Sequence, residues 1–331
     1  MKDIVQKIDI SIVLKCKQEL MGVAIIWIFL FHSQFAQGVP IIGDVIEFGS
    51  HGVDVFFFLS AVGISCSLQK NDNPKLFFAR RLQRIFPTLY FFLLCVHLLG
   101  IKTGWSHPTN LLQGICWYTT LGWWFNGMFS AQYNYFYEWY IPTLLVFYLV
   151  TPFLFKRSTI TLILVTICGM LISLFLSYNH ILDNLRWSIQ RVPIFVSGLL
   201  FYKIINGGFR DKSIVILLIG FLVGIILLAF AKIVSKDNNV FLLSIYRCSL
   251  VFSMPMFLWL ISRAIVHFRL LKKVFGFLGG ISLQIYLLHI YNRPLSFVRE
   301  YFVQSISLSI IITFLLVVIL AYLISFIIAV H

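Results

Sequence analysis

Apolar stretches follow one another along the chain, separated by short polar segments that carry most of its charge. A helix crossing a hydrocarbon core of ~30 Å needs about 20 apolar residues, and ~17 serve for a short crossing. Ten stretches come near or above that length: residues 19–36, 51–68, 85–101, 139–155, 159–178, 191–206, 213–232, 243–265, 277–293 and 305–329. In lipid a spanning segment must satisfy its own backbone polar groups, so each stretch is predicted as a helix. The predicted fold class is all-α: a polytopic integral membrane bundle of about ten transmembrane helices. A further apolar and aromatic stretch, 111–125, is interrupted by Gly114 and Gly122 and followed by Asn126. It is predicted to be interfacial or re-entrant. No repeat of fixed period and no Pro-rich or low-complexity linker divides the chain. The expected organisation is a cytoplasmic N-terminal tail over 1–18 and one membrane domain over 19–329.

Composition removes the soluble alternatives. The chain is 60% hydrophobic and 11% charged, with a mean hydropathy of +0.93, whereas a soluble domain carries about 25% charged residues. An ordinary soluble enzyme and a disordered chain are both excluded. The net charge of +14 suggests nucleic acid at first sight, but its distribution fits membrane loops instead. With the N-terminus inside, inner segments hold 18 and outer segments 8 of the 26 Lys and Arg residues. Cytoplasmic loops are the basic ones. The chain is therefore expected in the cell membrane as a multi-pass protein, with both termini cytoplasmic and no nucleic-acid partner. The 6 cysteines include no C-x-x-C pair and mostly sit in apolar runs, so neither a disulfide frame nor a metal site is expected. The first 19 residues are too polar for a cleavable signal peptide, and no small-residue cleavage site follows the first apolar run.

Ionisable groups at membrane depth are costly and mark candidate chemistry. His32 lies 13 residues after Glu19 in LMGVAIIWIFLFHSQF, ~20 Å along a helix and so in the outer half of the bilayer. The plain alternative is an interfacial histidine bonded to a carbonyl. Asp54, in SHGVDVFFFLSAVGISCSL, falls in the first turn of the second span. There it either caps the helix dipole or orients the His32 imidazole. Ser60, six residues deeper, is placed to bond a polar ligand or its own helix.

Arg80, Arg81 and Arg84 lie in FFARRLQRIFP at the inner edge of the third span, with Pro87 just beyond. Arg81 and Arg84 share a helical face at i,i+3, and Arg80 and Arg84 are neighbours at i,i+4. They serve either as a lipid-headgroup anchor or as a polyphosphate site, for which bidentate guanidinium groups are suited. In EWYIPTLLVFYLVTP, Trp139 and Tyr140 read as an interfacial aromatic belt, while Glu138 beside Trp139 is a carboxylate–aromatic pair suited to a sugar. In LGGISLQIYLLHIYNRP, Ser282 and His289 stand two turns apart on one face with Tyr286 between them, and His289 emerges on the outer side near Arg293. Here too an interfacial histidine is the plain alternative.

In this order the landmarks resemble the acyltransferase-3 family of integral membrane O-acyltransferases, over nearly the whole chain. GVAIIWIFLFH is similar to its first helix ending in a histidine. GVDVFFFLSAVG is similar to its G-V-D-x-F-F-x-L-S-G helix. Arg81 to Arg84 with Pro87 resembles its R-x-x-R beside a proline, and Trp139, Tyr148 and Pro152 its W…Y…P. Gly279, Ser282, Tyr286, Leu287 and His289 resemble its G-x-x-S-Y-x-x-Y-L-x-H. The departures are Met21 and Leu144, where many members carry an arginine and a glutamate, and Ala61 and Leu283 in place of a glycine and a tyrosine. They leave the histidine and the arginine pair in place and point to a divergent subgroup.

The resemblance implies acyl transfer, most often of acetyl, from acyl-CoA to a hydroxyl of a cell-surface polysaccharide or lipid-linked sugar. It implies that His32 is the catalytic histidine and that Arg81 and Arg84 serve the cytoplasmic acyl-donor side. No bound cofactor or metal is expected; acetyl-CoA or another acyl-CoA is a co-substrate. Transfer needs a base for the hydroxyl proton, and an imidazole suits this at neutral pH; His32 acts as that base or carries the acyl group briefly. Phosphates held near Arg81 and Arg84 would let the long CoA arm reach towards His32. The alternative class is a transporter or flippase of lipid-linked oligosaccharide, whose buried charges line a pathway. A non-catalytic scaffold would need none of these ordered polar landmarks.

Overall fold

The computed structural model describes residues 9–33, 39–71, 73–103, 107–125, 139–206, 213–234, 239–289, 298, 300 and 305–329, and among these every regular element is helical. The main helices are α1 Lys17–His32, α2 Gly52–Lys70, α3 Pro74–Thr103, α4 Tyr140–Phe155, α5 Thr159–Tyr178, α6 Asp183–Ile189, α7 Val192–Asn206, α8 Ser213–Val234, α9 Asn239–His267, α10 Arg269–Gly280, α11 Ser282–His289 and α12 Ile306–Ala329. The protein is a polytopic helical membrane protein, and each predicted stretch falls on a helix. Seven helical stretches among the described residues are long and apolar enough to cross a membrane, and α10 with α11 makes an eighth if that bent pair is one span. α1 and α4, at 16 residues each, are shorter.

Local chemistry explains where the elements depart from expectation. The third span begins at Pro74 rather than at 85, because Asn73 caps it. The Asn73 side-chain oxygen accepts from the amides of Lys75 and Leu76, and proline is at home in the first helical position. Pro87, within the predicted span, lies inside α3. Neighbouring groups within a membrane helix tolerate such a proline. The 111–125 stretch forms two short helices, Leu111–Tyr118 and Gly122–Phe125, joined through Thr120 at φ 59°. Neither can cross a bilayer. The 277–293 span is broken: α10 and α11 meet at 64°, and at the break Ser282 donates its hydroxyl to the Gly279 carbonyl at 2.9 Å.

The chain divides into two compact units. The first comprises Met1–Leu20, Asp54–Phe77 and Thr143–Lys272. Within it α8 packs along α9, α5 against α7 and α9, and α7 against α9. The α8–α9 crossing is close because Gly220 and Gly224 face it. A Cβ on Gly224 would stand 2.8 Å from the Ser253 Cβ and 2.9 Å from the Ser249 carbonyl oxygen. Small residues four apart are how membrane helices approach when no water drives them together. α2 supplies Phe57, Phe58 and Leu59, all fully buried; Phe57 meets Phe147, which stacks on Phe195.

The second unit comprises Met21–Val53, Phe78–Pro142 and Lys273–His331. Here α11 packs on α12. The crossing of α1 and α10 is tight: a Cβ on Gly22 would fall 2.0 Å from the Phe275 carbonyl oxygen. The Trp27 indole donates to the Val45 carbonyl at 2.7 Å, fixing the short Ile42–Glu47 helix against α1. The apolar window around α2 is 83% buried, whereas those of α8 and α12 are 22% buried. α2 is enclosed by protein, while α8 and α12 offer leucine and isoleucine to lipid.

Candidate active site

His32 is the last residue of α1 and is half-buried. His289 is the last residue of α11 and is 3% exposed. The unit that holds both brings them together across 257 positions of sequence, with ring centroids 5.2 Å apart and planes at 72°. Phe29 and Tyr286 flank His289 at 6.0 and 5.8 Å. Tyr140 lies 5.2 Å from Tyr286, and Trp139 lies 6.5 Å from Tyr140. The result is a histidine pair beside an aromatic wall.

The tautomer of His289 follows from its partner. Its Nδ1 lies 2.8 Å from the Ile285 carbonyl oxygen, and a carbonyl only accepts, so Nδ1 carries the hydrogen. The lone pair of the neutral ring then sits on Nε2, which is buried without a hydrogen-bond partner among the described residues. A buried acceptor left open in this way is unusual.

Other predicted site residues take different places. Trp139 and Tyr140 are 8% and 7% exposed, so they do not form a lipid-facing belt; they belong to the wall beside the histidines. Ser282 spends its hydroxyl on the break between α10 and α11. Arg80 and Arg84 are exposed and Arg81 is half-buried on α3, an open basic face. Glu138 lies outside the described residues. Asp54 and Ser60 are buried in the other unit. There the Asp54 carboxylate accepts from Arg191 Nε at 3.1 Å, with both side chains at most 2% exposed.

Sequence reading misses Arg191 as that partner. The basic-residue count puts Arg186, Arg191 and Arg247 among the outer-loop charges, yet all three are buried. Arg247, inside the predicted 243–265 span, and Arg191, at the first position of the predicted 191–206 span, are the available clues. Leu144 is buried at 4%, so the position where many family members carry a glutamate is here part of the core. Ala61 meets Gly198: a Cβ there would come 2.8 Å from the Ala61 methyl. The extra methyl at 61 is accommodated by a glycine opposite.

Compared with known proteins, residues 20–330 match the model of the acyltransferase-3 family, described as an acyltransferase domain. No curated protein and no solved structure matches the chain.

Proposed function

The chain belongs to the acyltransferase-3 family, and from that premise we propose that this membrane acyltransferase moves an acyl group, acetyl by default, from cytoplasmic acyl-CoA to a hydroxyl of a cell-surface polysaccharide or lipid-linked sugar. The observation that carries this reading is the His32–His289 pair beside Tyr286, Tyr140 and Trp139. The acceptor hydroxyl gives its proton to an imidazole as its oxygen attacks the thioester carbonyl. The new C–O bond forms, the C–S bond breaks, and the departing CoA sulfur takes the proton back. His32, half-buried, is the base that meets substrate. His289, buried behind it with a free lone pair on Nε2, accepts the proton in turn or holds the His32 ring in place.

The aromatic wall suits the apolar faces of sugar rings, and Glu138 next to Trp139 suits their hydroxyls. Arg80, Arg81 and Arg84 form the open basic face that meets the CoA phosphates, where bidentate pairing is available. Asp54 acts on the reaction through the fold of its own unit.

The test is the O-acyl content of purified surface glycan, measured with the amount of polymer and of protein. A positioned base is worth about 10²–10⁴ in rate, so His32→Gln, which keeps size and polarity but accepts no proton, loses transfer as completely as His32→Ala. Polymer yield stays unchanged. Retained acylation in His32→Gln removes the assigned base, and loss of the polymer itself converts the reading to a flippase.

A further inference from the structure

Three buried arginines gather at one end of the unit that contains Asp54. Arg186 lies on α6, Arg191 just before α7, and Arg247 two turns into α9; none is more than 8% exposed. This is the end where α5 finishes and α2, α7 and α9 begin. Ser177 near the end of α5 and Ser244 in α9 share a hydrogen bond between their hydroxyls, and Arg191 reaches Asp54 in the first turn of α2. The starting ends of helices add positive potential of their own.

Among the described residues, the ion pairs of these three arginines are with two carboxylates, Asp54 and Asp183. Asp54 accepts from Arg191 Nε, and the Trp187 carbonyl accepts from Arg191 Nη1 at 2.9 Å. Arg186 Nη1 pairs at 2.8 Å with Asp183, which is 70% exposed. Arg247 Nη1 donates to the neutral Gln190 Oε1, and Gln190 in turn donates to Ser177 and Ser244 at 2.8 and 2.6 Å. The Nε atoms of Arg186 and Arg247 are buried with no hydrogen-bond acceptor among the described residues.

Trp187 draws two of the guanidinium groups together: those of Arg191 and Arg247 lie 5.7 and 5.6 Å from its ring centre. The turn that leads into α6 holds two non-glycine residues in the left-handed region, His180 at φ 52° and Leu182 at φ 54°. Like charges repel in such surroundings, and buried guanidinium donors without acceptors are expensive. An oxyanion with several lone pairs answers both problems.

We propose that Arg186, Arg191 and Arg247 form a binding site for one oxyanion, a phosphate or a carboxylate, and that the acyl acceptor carries it. The second half of this assignment rests on the acyltransferase reading; the first does not. The site belongs to the acceptor because of its depth. Asp54 and Lys70 stand 16 positions apart on α2, ~24 Å along the axis. At the Lys70 end of this unit Lys203 also bonds the Arg157 carbonyl. Acyl-CoA drawn to that basic end is on the opposite membrane face from the cluster.

The test uses the full-length protein in phosphatidylcholine nanodiscs without acyl donor, following thermal unfolding with inorganic phosphate or acetate at ionic strength held constant by sodium chloride. Wild type gains a saturable rise in Tm, roughly 5 °C at a hundredfold excess of anion over its Kd. Arg247→Gln loses the response. Gln190→Glu, which builds the missing negative charge beside Arg247, raises Tm without added anion and also abolishes the response.

No anion-specific rise in wild type, or a lowered Tm in Gln190→Glu, overturns the site. A phosphate response that disappears in nanodiscs containing phosphatidylglycerol assigns the site to a lipid headgroup and overturns the acceptor's claim to it. If membranes show the anion response yet transfer no acyl group, the acyltransferase reading fails and the anion site stands.

Discussion

Asp54 and His289 show how a single buried atom is defined by what it touches. The Asp54 carboxylate is paired with Arg191 inside protein, so its removal strands a buried guanidinium. Breaking one side of such a pair costs about 3–5 kcal/mol. Asp54→Ala is therefore expected to reduce folded protein before it affects chemistry, measured as a fall in Tm and in membrane yield. Asp54→Asn keeps an acceptor oxygen for Arg191 Nε and should recover much of that yield. Equal yields for Asp54→Ala and wild type would exclude a structural role. His289 presents the reverse case: one ring nitrogen is committed to Ile285, and the other is buried with no hydrogen-bond partner among the described residues.

Among elements, close helix crossings depend on glycines that have no room for a methyl group. On α7, a Cβ at Gly198 would lie 2.6 Å from the Phe58 carbonyl oxygen and 2.8 Å from the Ala61 Cβ. Gly198→Ala must push α7 from α2, and overpacking of this kind costs about 1–3 kcal/mol. Gly114, on the short Leu111–Tyr118 helix, is open: a methyl group added there would meet nothing within 4 Å. Gly114→Ala should be neutral or stabilising by up to about 1 kcal/mol, since alanine is the better helix former. Thermal unfolding of the two variants in one detergent checks the contrast; a Gly198→Ala protein as stable as wild type would show that the crossing yields easily. The break between α10 and α11 is an element-scale device as well, because it turns α11, which carries the buried His289, by 64° from α10.

For the whole molecule, orientation decides which substrate meets which residues. Lys70, Lys75, Arg80 and Arg84 are all exposed, and the expected orientation puts these charges in the cytoplasm. By contrast, Arg186, Arg191 and Arg247 are buried, so the segments expected outside carry less free positive charge than a count of their lysines and arginines suggests. Reporter fusions in the segment 70–75 and after residue 329 are expected to report cytoplasm together. An outer signal from 70–75 would place Arg81 and Arg84 away from cytoplasmic acyl-CoA.

The helices and the residues that are costly in lipid can be read along the chain, because both are local properties. A run of apolar residues in a bilayer must satisfy its own backbone bonds, so the Thr159–Tyr178 and Ile306–Ala329 helices follow from their own side chains. His32 and Asp54 stand out for the same reason: an ionisable group in an apolar run is conspicuous without any knowledge of its partner. The partners are not legible in the same way. His32 meets His289, Asp54 meets Arg191, and Arg247 meets Gln190, pairs separated by 257, 137 and 57 positions. Hydropathy averages over a window and cannot tell a loop arginine from one folded beneath a tryptophan. Only the packing of α6 and α9 turns Arg186, Arg191 and Arg247 from surface charge into a buried cluster, since burial is set by what other helices bring to the same place.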